Sequence, residues 1–229
     1  MTHATRLLAF DSAGAACSAA VWNAGRVAAA RFEAMARGQS ERLLPMIEEV
    51  MAEAGLDYAG LDALAVTLGP GGFTGVRIGL AAARGLALAS GRPVLGLTSF
   101  EAVAAAAEET RPPNLPLAVL LDAKRAEVYL QVFAPDLAPL GPALSLLPRD
   151  LPPALPSGPL VVAGDGVARA AGHLERPGLL VAPGAGHAEA ARFAAFAAAR
   201  PLPAPGTPPP RPFYLRGPDV TLPRSRRAP

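Results

Sequence analysis

Cysteine, lysine, histidine and aromatic residues are all scarce in this chain of 229 residues. A single cysteine, Cys17, excludes an internal disulfide, and its place in the apolar run CSAAVW reads as a small buried thiol rather than a nucleophile. The three histidines, His3, His173 and His187, each stand alone, with His3 read as a frayed terminus. No H-E-x-x-H, H-x-x-x-H or Cys/His cluster exists, so a metal site has no local support. No G-x-S-x-G elbow is present either, although a dispersed triad would leave no such trace. Charge of one sign is lacking too: 21 basic residues against 19 acidic leave a net charge of +2. That balance does not call for nucleic acid as a partner. Long hydrophobic runs are missing. The stretch LLAF ends at Asp11, too short for a signal peptide, and the run from Val76 to Ala89 is interrupted by Arg77 and Arg84, which argues against a membrane span. The expectation is a cytoplasmic protein in a reducing compartment. At 51% hydrophobic residues it can bury a sizeable core, as one large domain or as two lobes.

Apolar patterning organises the first half. RLLAFDS, CSAAVW and RVAAARFEA are short runs separated by Ser/Gly and by the turn Asn23-Ala24-Gly25, which predicts three strands in an antiparallel meander. From Ser40, a plausible N-cap, the period changes. Leu43, Ile47, Val50, Met51 and Ala54 fall on one helical face that Gly55 ends. The strand ALAVTL follows, then the loop GPGGFTGVR, a helix from about Thr74 to Ser90, the strand PVLGL and a short helix from Phe100 to Glu109. The second half begins with an echo: PLAVLLDAKRAEVYLQVF, like LLAFDSAGAACSAAVW, is a strand ending in Asp, a connection and a strand. Ala143 to Leu147 would supply a third strand, LVVAGDG another with a turn, and His187 to Arg200 a helix packed through Phe193 and Phe196. RPPNLP, Arg111 to Pro116, is the linker candidate, dividing the chain at 110/111 into an N-terminal lobe, 1–110, and a C-terminal lobe, 111–229. The segment PLPAPGTPPPRP must be extended chain, and the basic tail LPRSRRAP is expected to be disordered.

The glycine loop admits two readings. A helix N-terminus after a strand offers unpaired amides and the positive end of a dipole, which suits a phosphate. A Walker loop, however, needs G-x-x-x-x-G-K-[ST], and no register of this loop fits it or contains a lysine. A rigid turn is the other use of Gly-Pro-Gly-Gly. The helix after it, VRIGLAAARGLALA, is apolar nearly all round and carries a row of small residues, Gly75, Gly79 and Ala82 or Ala83. Such a row fits burial in a core or close approach of another backbone. Asp11 and Asp122, at strand ends, read as turn residues or as holders of a metal-bound nucleotide.

Taken together, LLAFDSA with CSAAVW, QSERLLPMIEEVM, TLGPGGFTGVRIGLAAARGLA, DAKRAEVY, AGDG and PFYLRGPDV resemble, in order and spacing, the TsaB (YeaZ) family of threonylcarbamoyladenosine biosynthesis proteins. The resemblance spans Leu7 to about Val220, with Gly72 where serine is more usual and Ala126 where glycine is common. It implies an α/β chain of the actin-like, sugar-kinase/heat-shock-protein (ASKHA, RNase H-like) fold, in two lobes each built on a mixed sheet. It also implies a non-catalytic scaffold without catalytic or metal-ligating residues of its own. Such a subunit dimerises with a catalytic TsaD-like protein through N-terminal-lobe helices, recruits a TsaE-like ATPase and reaches tRNA only through the complex. No cofactor is expected to bind this chain tightly, ATP or ADP belonging to the complex. On that footing the expected interface comprises Leu43, Ile47, Val50 and Met51 with Gly75, Gly79 and Ala82, serving also for a homodimer. The loop Gly69, Pro70, Gly71, Gly72, Phe73, Thr74 and Arg77 turns the chain into that helix. The main rival is a nucleotide-dependent kinase or ATPase of the same fold using Asp11 and Asp122. A peptidase and direct tRNA binding are the lesser ones.

Overall fold

Residues 5–204 and 206–216 are described by the computed structural model. His3 and the basic tail LPRSRRAP lie outside them. The chain forms two five-stranded mixed sheets that repeat one topology. In the first, β1 (Leu7–Asp11), β2 (Ala16–Asn23) and β3 (Arg26–Ala34) form the antiparallel meander, and β4 (Ala63–Thr67) and β5 (Val94–Leu97) add parallel to β1, giving the order β3-β2-β1-β4-β5. In the second, β6 (Leu117–Asp122), β7 (Val128–Phe133) and β8 (Leu144–Leu146) repeat the meander. There β9 (Leu160–Ala163) and β10 (Leu179–Val181) repeat the parallel pair, giving β10-β9-β6-β7-β8. The hairpin echo in the sequence is therefore a repeat of the whole sheet, and the two-lobed α/β architecture expected from the resemblance is present.

The helices repeat as well, in weakened form. In the first half α1 (Gln39–Ala54), α2 (Phe73–Ser90) and α3 (Ser99–Ala107) follow β3, β4 and β5. At the matching places of the second half stand short 3-10 turns over 148–154, the one-turn α4 (Val167–Ala170), and α5 (Ala190–Ala198). Prolines explain the loss: Pro148, Pro152 and Pro153 remove the amides that a longer helix would need.

Strand periodicity sorts the side chains. Leu7 and Ala9 of β1 face a core shared with α3, α5 and the second sheet, whereas Leu8 and Phe10 face α1 and α2. Both faces of β1 are covered, which is why the strand reads as a continuous apolar run. The layers are therefore α1/α2, first sheet, α3/α5, second sheet, and the turns with α4. Helix α5 comes from the second half yet packs on β1, β2 and β3. Ser18 of β2 anchors it, donating to the Ala188 carbonyl at 3.2 Å and accepting from the Ala190 amide at 3.0 Å. The linker is held as well: buried Arg111 donates to Leu115 and Pro135 carbonyls and to Glu108.

Two local expectations shift. Helix α1 begins at Gln39 after Gly38, whose φ of 98° turns the chain out of β3; Ser40 is already inside the helix, its hydroxyl donating to Glu41. Helix α3 starts at Ser99 because Thr98 and Glu101 form a reciprocal capping box. Helix α1 ends at Gly55 as expected, with φ 64°.

Candidate functional site

The segments following β1, β4, β6 and β9 meet in one cleft between the lobes. Its inner recess, about 30 Å³, is bounded by Ala13, Gly71, Ser99, Asp122, Lys124 and Asp165. That is room for about one water. In the first lobe Asp11 is fully buried, accepting from the Thr67 hydroxyl and, at 3.2 Å, from the Ala13 amide. Burial pushes its carboxyl up to about 6, against the pull of those hydrogen bonds. In the second lobe Asp165, after β9, accepts from the Asp122 amide at 2.8 Å. Lys124 Nζ stands 3.2 Å from Asp122 and 3.4 Å from Asp165. Burial lowers the lysine's pKa, but the Asp165 and Asp122 carboxylates outweigh it and the net shift is upward. Lys124 stays charged and offsets the two acids, and Arg169 adds a contact to Asp122 at 3.7 Å.

The glycine loop packs inward. Gly72 donates its amide to the Ala13 carbonyl at 2.7 Å, and the Ser12 hydroxyl donates to the Gly75 carbonyl at 2.9 Å. A Cβ on Gly71 would lie 2.4 Å from the Ala13 oxygen, and one on Gly75 2.1 Å from the Ser12 oxygen. These glycines let the loop and the start of α2 sit directly on the β1–β2 turn. Gly69, at φ 93°, accepts from the Ser99 amide through its carbonyl, and its peptide to Pro70 is cis. The turn reading of the loop is the one realised on this side. The second lobe repeats the device: a Cβ on Gly164 would lie 2.0 Å from the Leu120 oxygen.

The expected interface residues need correction. Leu43, Ile47, Val50 and Met51 are buried against the first sheet, and the Gly75/Gly79 row is filled by Ser12 and Val66 of the same chain. Ala82 is partly buried against the same core. The apolar face of α1 and the small-residue row of α2 are thus spent within the lobe, because the outer face of the first sheet needs a cover. A bulky residue at Gly79 would strike Ser12 Oγ, 3.0 Å from the Cβ position, and so perturb the lobe itself. Exposed instead are Leu44 on α1 and, along α2, Thr74, Ala81, Gly85 and Leu88, the last 89% exposed.

Outside the loop lies a groove of about 620 Å³. Phe73 and Arg77 from the first two turns of α2, the tip of the β6–β7 turn and the extended segment Phe213–Arg216 line it. The Phe213 amide donates to the Leu68 carbonyl at 2.8 Å, bringing the proline-rich segment back against the first lobe. Sequence reasoning missed Thr67, Asp165 and Tyr214. The first two stand at corresponding ends of β4 and β9, so aligning the two halves strand by strand would have found them. Among the described residues no group of three His, Cys, Asp or Glu is placed to hold a metal, and no helix is long and apolar enough to cross a membrane.

The chain is similar to proteins of known family in both sequence and structure. A family model for TsaD, tRNA N6-adenosine threonylcarbamoyltransferase, matches residues 33–137. The tRNA threonylcarbamoyladenosine biosynthesis protein TsaB of Escherichia coli is 40% identical over 131 residues, 57% of this chain and 56% of that protein. The chain spans about half the length of the curated relatives it matches. The solved structure of YeaZ from Pseudomonas aeruginosa superposes with a TM-score of 0.75 at 31% identity, covering 84% of this chain and 90% of that one. Component A of the (R)-2-hydroxyglutaryl-CoA dehydratase of Acidaminococcus fermentans, at TM-score 0.51 and 13% identity, shares the fold alone, over 85% of this chain and 98% of that one.

Proposed function

The chain belongs to the TsaB (YeaZ) family, of ASKHA fold, and on that premise we propose that it is a non-catalytic scaffold in threonylcarbamoyladenosine formation on tRNA. It pairs in the cytoplasm with a TsaD-like catalytic subunit, recruits a TsaE-like ATPase, meets tRNA only through that complex, and forms a homodimer when alone. The observation that carries this reading is the state of the acids in the cleft. Asp11 is committed to Thr67 and Ala13, and Lys124 stands between Asp122 and Asp165. A kinase or ATPase of this fold would need those carboxylates free for a metal-bound nucleotide. Here Asp11 is buried and hydrogen-bonded within the chain, and Asp122 and Asp165 are paired with Lys124, so on this reading the inner cleft holds no nucleotide tightly.

The partner docks on the outward faces of α1 and α2, at Leu44, Ala81, Gly85 and Leu88, rather than on the buried stripe. Gly85 has open space where a side chain would stand, and Leu88 is an exposed large apolar side chain one helical turn on. Light scattering after size exclusion, on this chain alone and mixed with the TsaD homologue from its own source, tests the reading. A mixed species should replace the separate peaks, and Leu88→Glu should weaken it at least roughly tenfold without lowering the melting temperature. A folded Leu88→Glu variant that pairs normally would overturn the docking face. Magnesium-dependent ATP turnover by the isolated chain, lost in Asp11→Ala, would overturn the scaffold assignment.

A further inference from the structure

We propose that the extended segment from Thr207 to Arg216 is a releasable strap, and that its seating is linked to what docks on the outward face of α2. The strap lies along the flank of α2 at the β5 edge of the first sheet. Gly96 of β5, on the same side of the strand as Val94, makes room for it, since a Cβ there would stand 2.9 Å from Pro210 Cβ. The strap is otherwise held at few points. Among the described residues, one backbone-to-backbone hydrogen bond ties 208–216 to the lobes, from the Phe213 amide to the Leu68 carbonyl at 2.8 Å. Two arginines about two turns apart on α2 pin it from the side. Arg84 Nη2 donates to the Pro210 carbonyl at 3.1 Å, and Arg77 Nε donates to the Tyr214 hydroxyl at 3.3 Å. The Tyr214 ring rests on Phe73, with centroids 5.8 Å apart, and Phe213 and Leu215 are partly buried against the core between the sheets. Pro208, Pro209 and Arg211 face solvent.

Composition decides what happens when such a segment lifts. A strand that leaves its sheet abandons a row of hydrogen bonds and gains conformational freedom. In the strap, Pro208, Pro209, Pro210 and Pro212 have no amide to leave unpaired, and their fixed φ keeps the released chain extended. Little backbone entropy is therefore lost when it seats again. Release breaks the Phe213 bond and the two arginine contacts and unseats two apolar side chains, which makes it a local opening that leaves the sheet intact. The link to docking runs through Arg84. It lies three residues after Ala81 and four before Leu88, so it is their neighbour on the surface of α2. A partner seated on Ala81 and Leu88 confines the Arg84 side chain on the strap side, where it meets the Pro210 carbonyl. Docking then favours the seated strap, and a seated strap favours docking to the same degree. This linkage rests on the docking reading given above; the release does not.

Amide hydrogen exchange of the full chain, followed by NMR, tests both parts, with the Leu64 amide of β4, bonded to the Pro93 carbonyl at 2.9 Å, as the internal reference. The Phe213 amide should exchange at least about 100-fold faster than that of Leu64. Arg84→Ala should raise the ratio of the two rates about fivefold, and Gly96→Ala, which pushes Pro210 away, about tenfold. Saturating TsaD-like subunit should slow Phe213 exchange about fivefold or more, and Leu88→Glu should cancel that slowing while leaving the rate in the isolated chain unchanged. Equal exchange at Phe213 and Leu64 would overturn the strap, as would a ratio that neither Arg84→Ala nor Gly96→Ala moves. A mixed species that forms with no change at Phe213 would overturn the linkage alone. The absence of any mixed species would overturn the docking reading and the linkage with it, and the release would still be decided by the ratio in the isolated chain.

Discussion

Replacing Gly75 and Gly85 by alanine, one at a time, sets the same chemical change against two opposite environments in one helix. Both residues lie within α2, and neither has a positive φ. At Gly85 nothing stands within 4 Å of the new methyl group, so only the backbone preference counts. Gly85→Ala should stabilise by about 0.5–1 kcal/mol. At Gly75 the methyl would lie 2.1 Å from the Ser12 oxygen, where ordinary contact begins near 3.4 Å, so α2 and the β1–β2 turn must part by about 1.3 Å. Overpacking of that kind costs about 1–3 kcal/mol, and loosening the Ser12 hydroxyl from the Gly75 carbonyl about 1 more. The alanine preference offsets about 1 kcal/mol, which leaves Gly75→Ala about 2 kcal/mol less stable. Thermal unfolding followed by fluorescence of Trp22, the one tryptophan, reads both changes. The expected shifts in melting temperature are about −4 to −8 °C for Gly75→Ala and about +1 to +3 °C for Gly85→Ala. Two changes of the same sign would refute the account of why the loop carries glycine.

Further expectations concern buried groups. Cys17 is fully buried, and burial, reinforced by the charge of Asp11, pushes its thiol up to about 12. It should react with a disulfide reagent only as fast as the protein unfolds; rapid modification in native buffer would refute the burial. Asp11 is raised in the folded state from 3.8 to about 6, so its contribution to stability is complete below pH 3.8 and is lost as pH rises through 6. The Asp11→Asn variant should lack that decline, worth up to about 3 kcal/mol, and the difference between the two stability–pH curves across pH 4–6.5 measures it. Parallel curves would mean that Asp11 is not desolvated.

The sequence revealed which faces would be buried but not against what. The stripe Leu43, Ile47, Val50, Met51 is apolar at helical spacing whether a sheet or another subunit covers it, and here the sheet does. The Gly75/Gly79 row likewise records a close approach, made by Ser12 of the same chain. The first meander was legible because its turns carry Ser, Gly and Asn. The repeat was harder to see because the second half replaces a 16-residue helix with proline-bearing turns and an 18-residue helix with a four-residue one. Asp165 escaped notice because its partners, Asp122 and Lys124, are some forty residues away and meet it only through parallel pairing of β6 with β9. Tyr214 sits on a proline-rich segment with no periodicity to read, so its ring partner Phe73 could not be inferred.

Helix α5, encoded late but capped by Ser18 and laid across β1, β2 and β3, has a consequence for any attempt to divide the chain. Cut between residues 110 and 111, the leading fragment would present the apolar side of its sheet to water, and the trailing fragment would carry a helix with no surface to lie on. Neither piece is a free-standing module. Co-expressed, they should find each other and reconstitute the whole, which would make this a split protein with a built-in clasp.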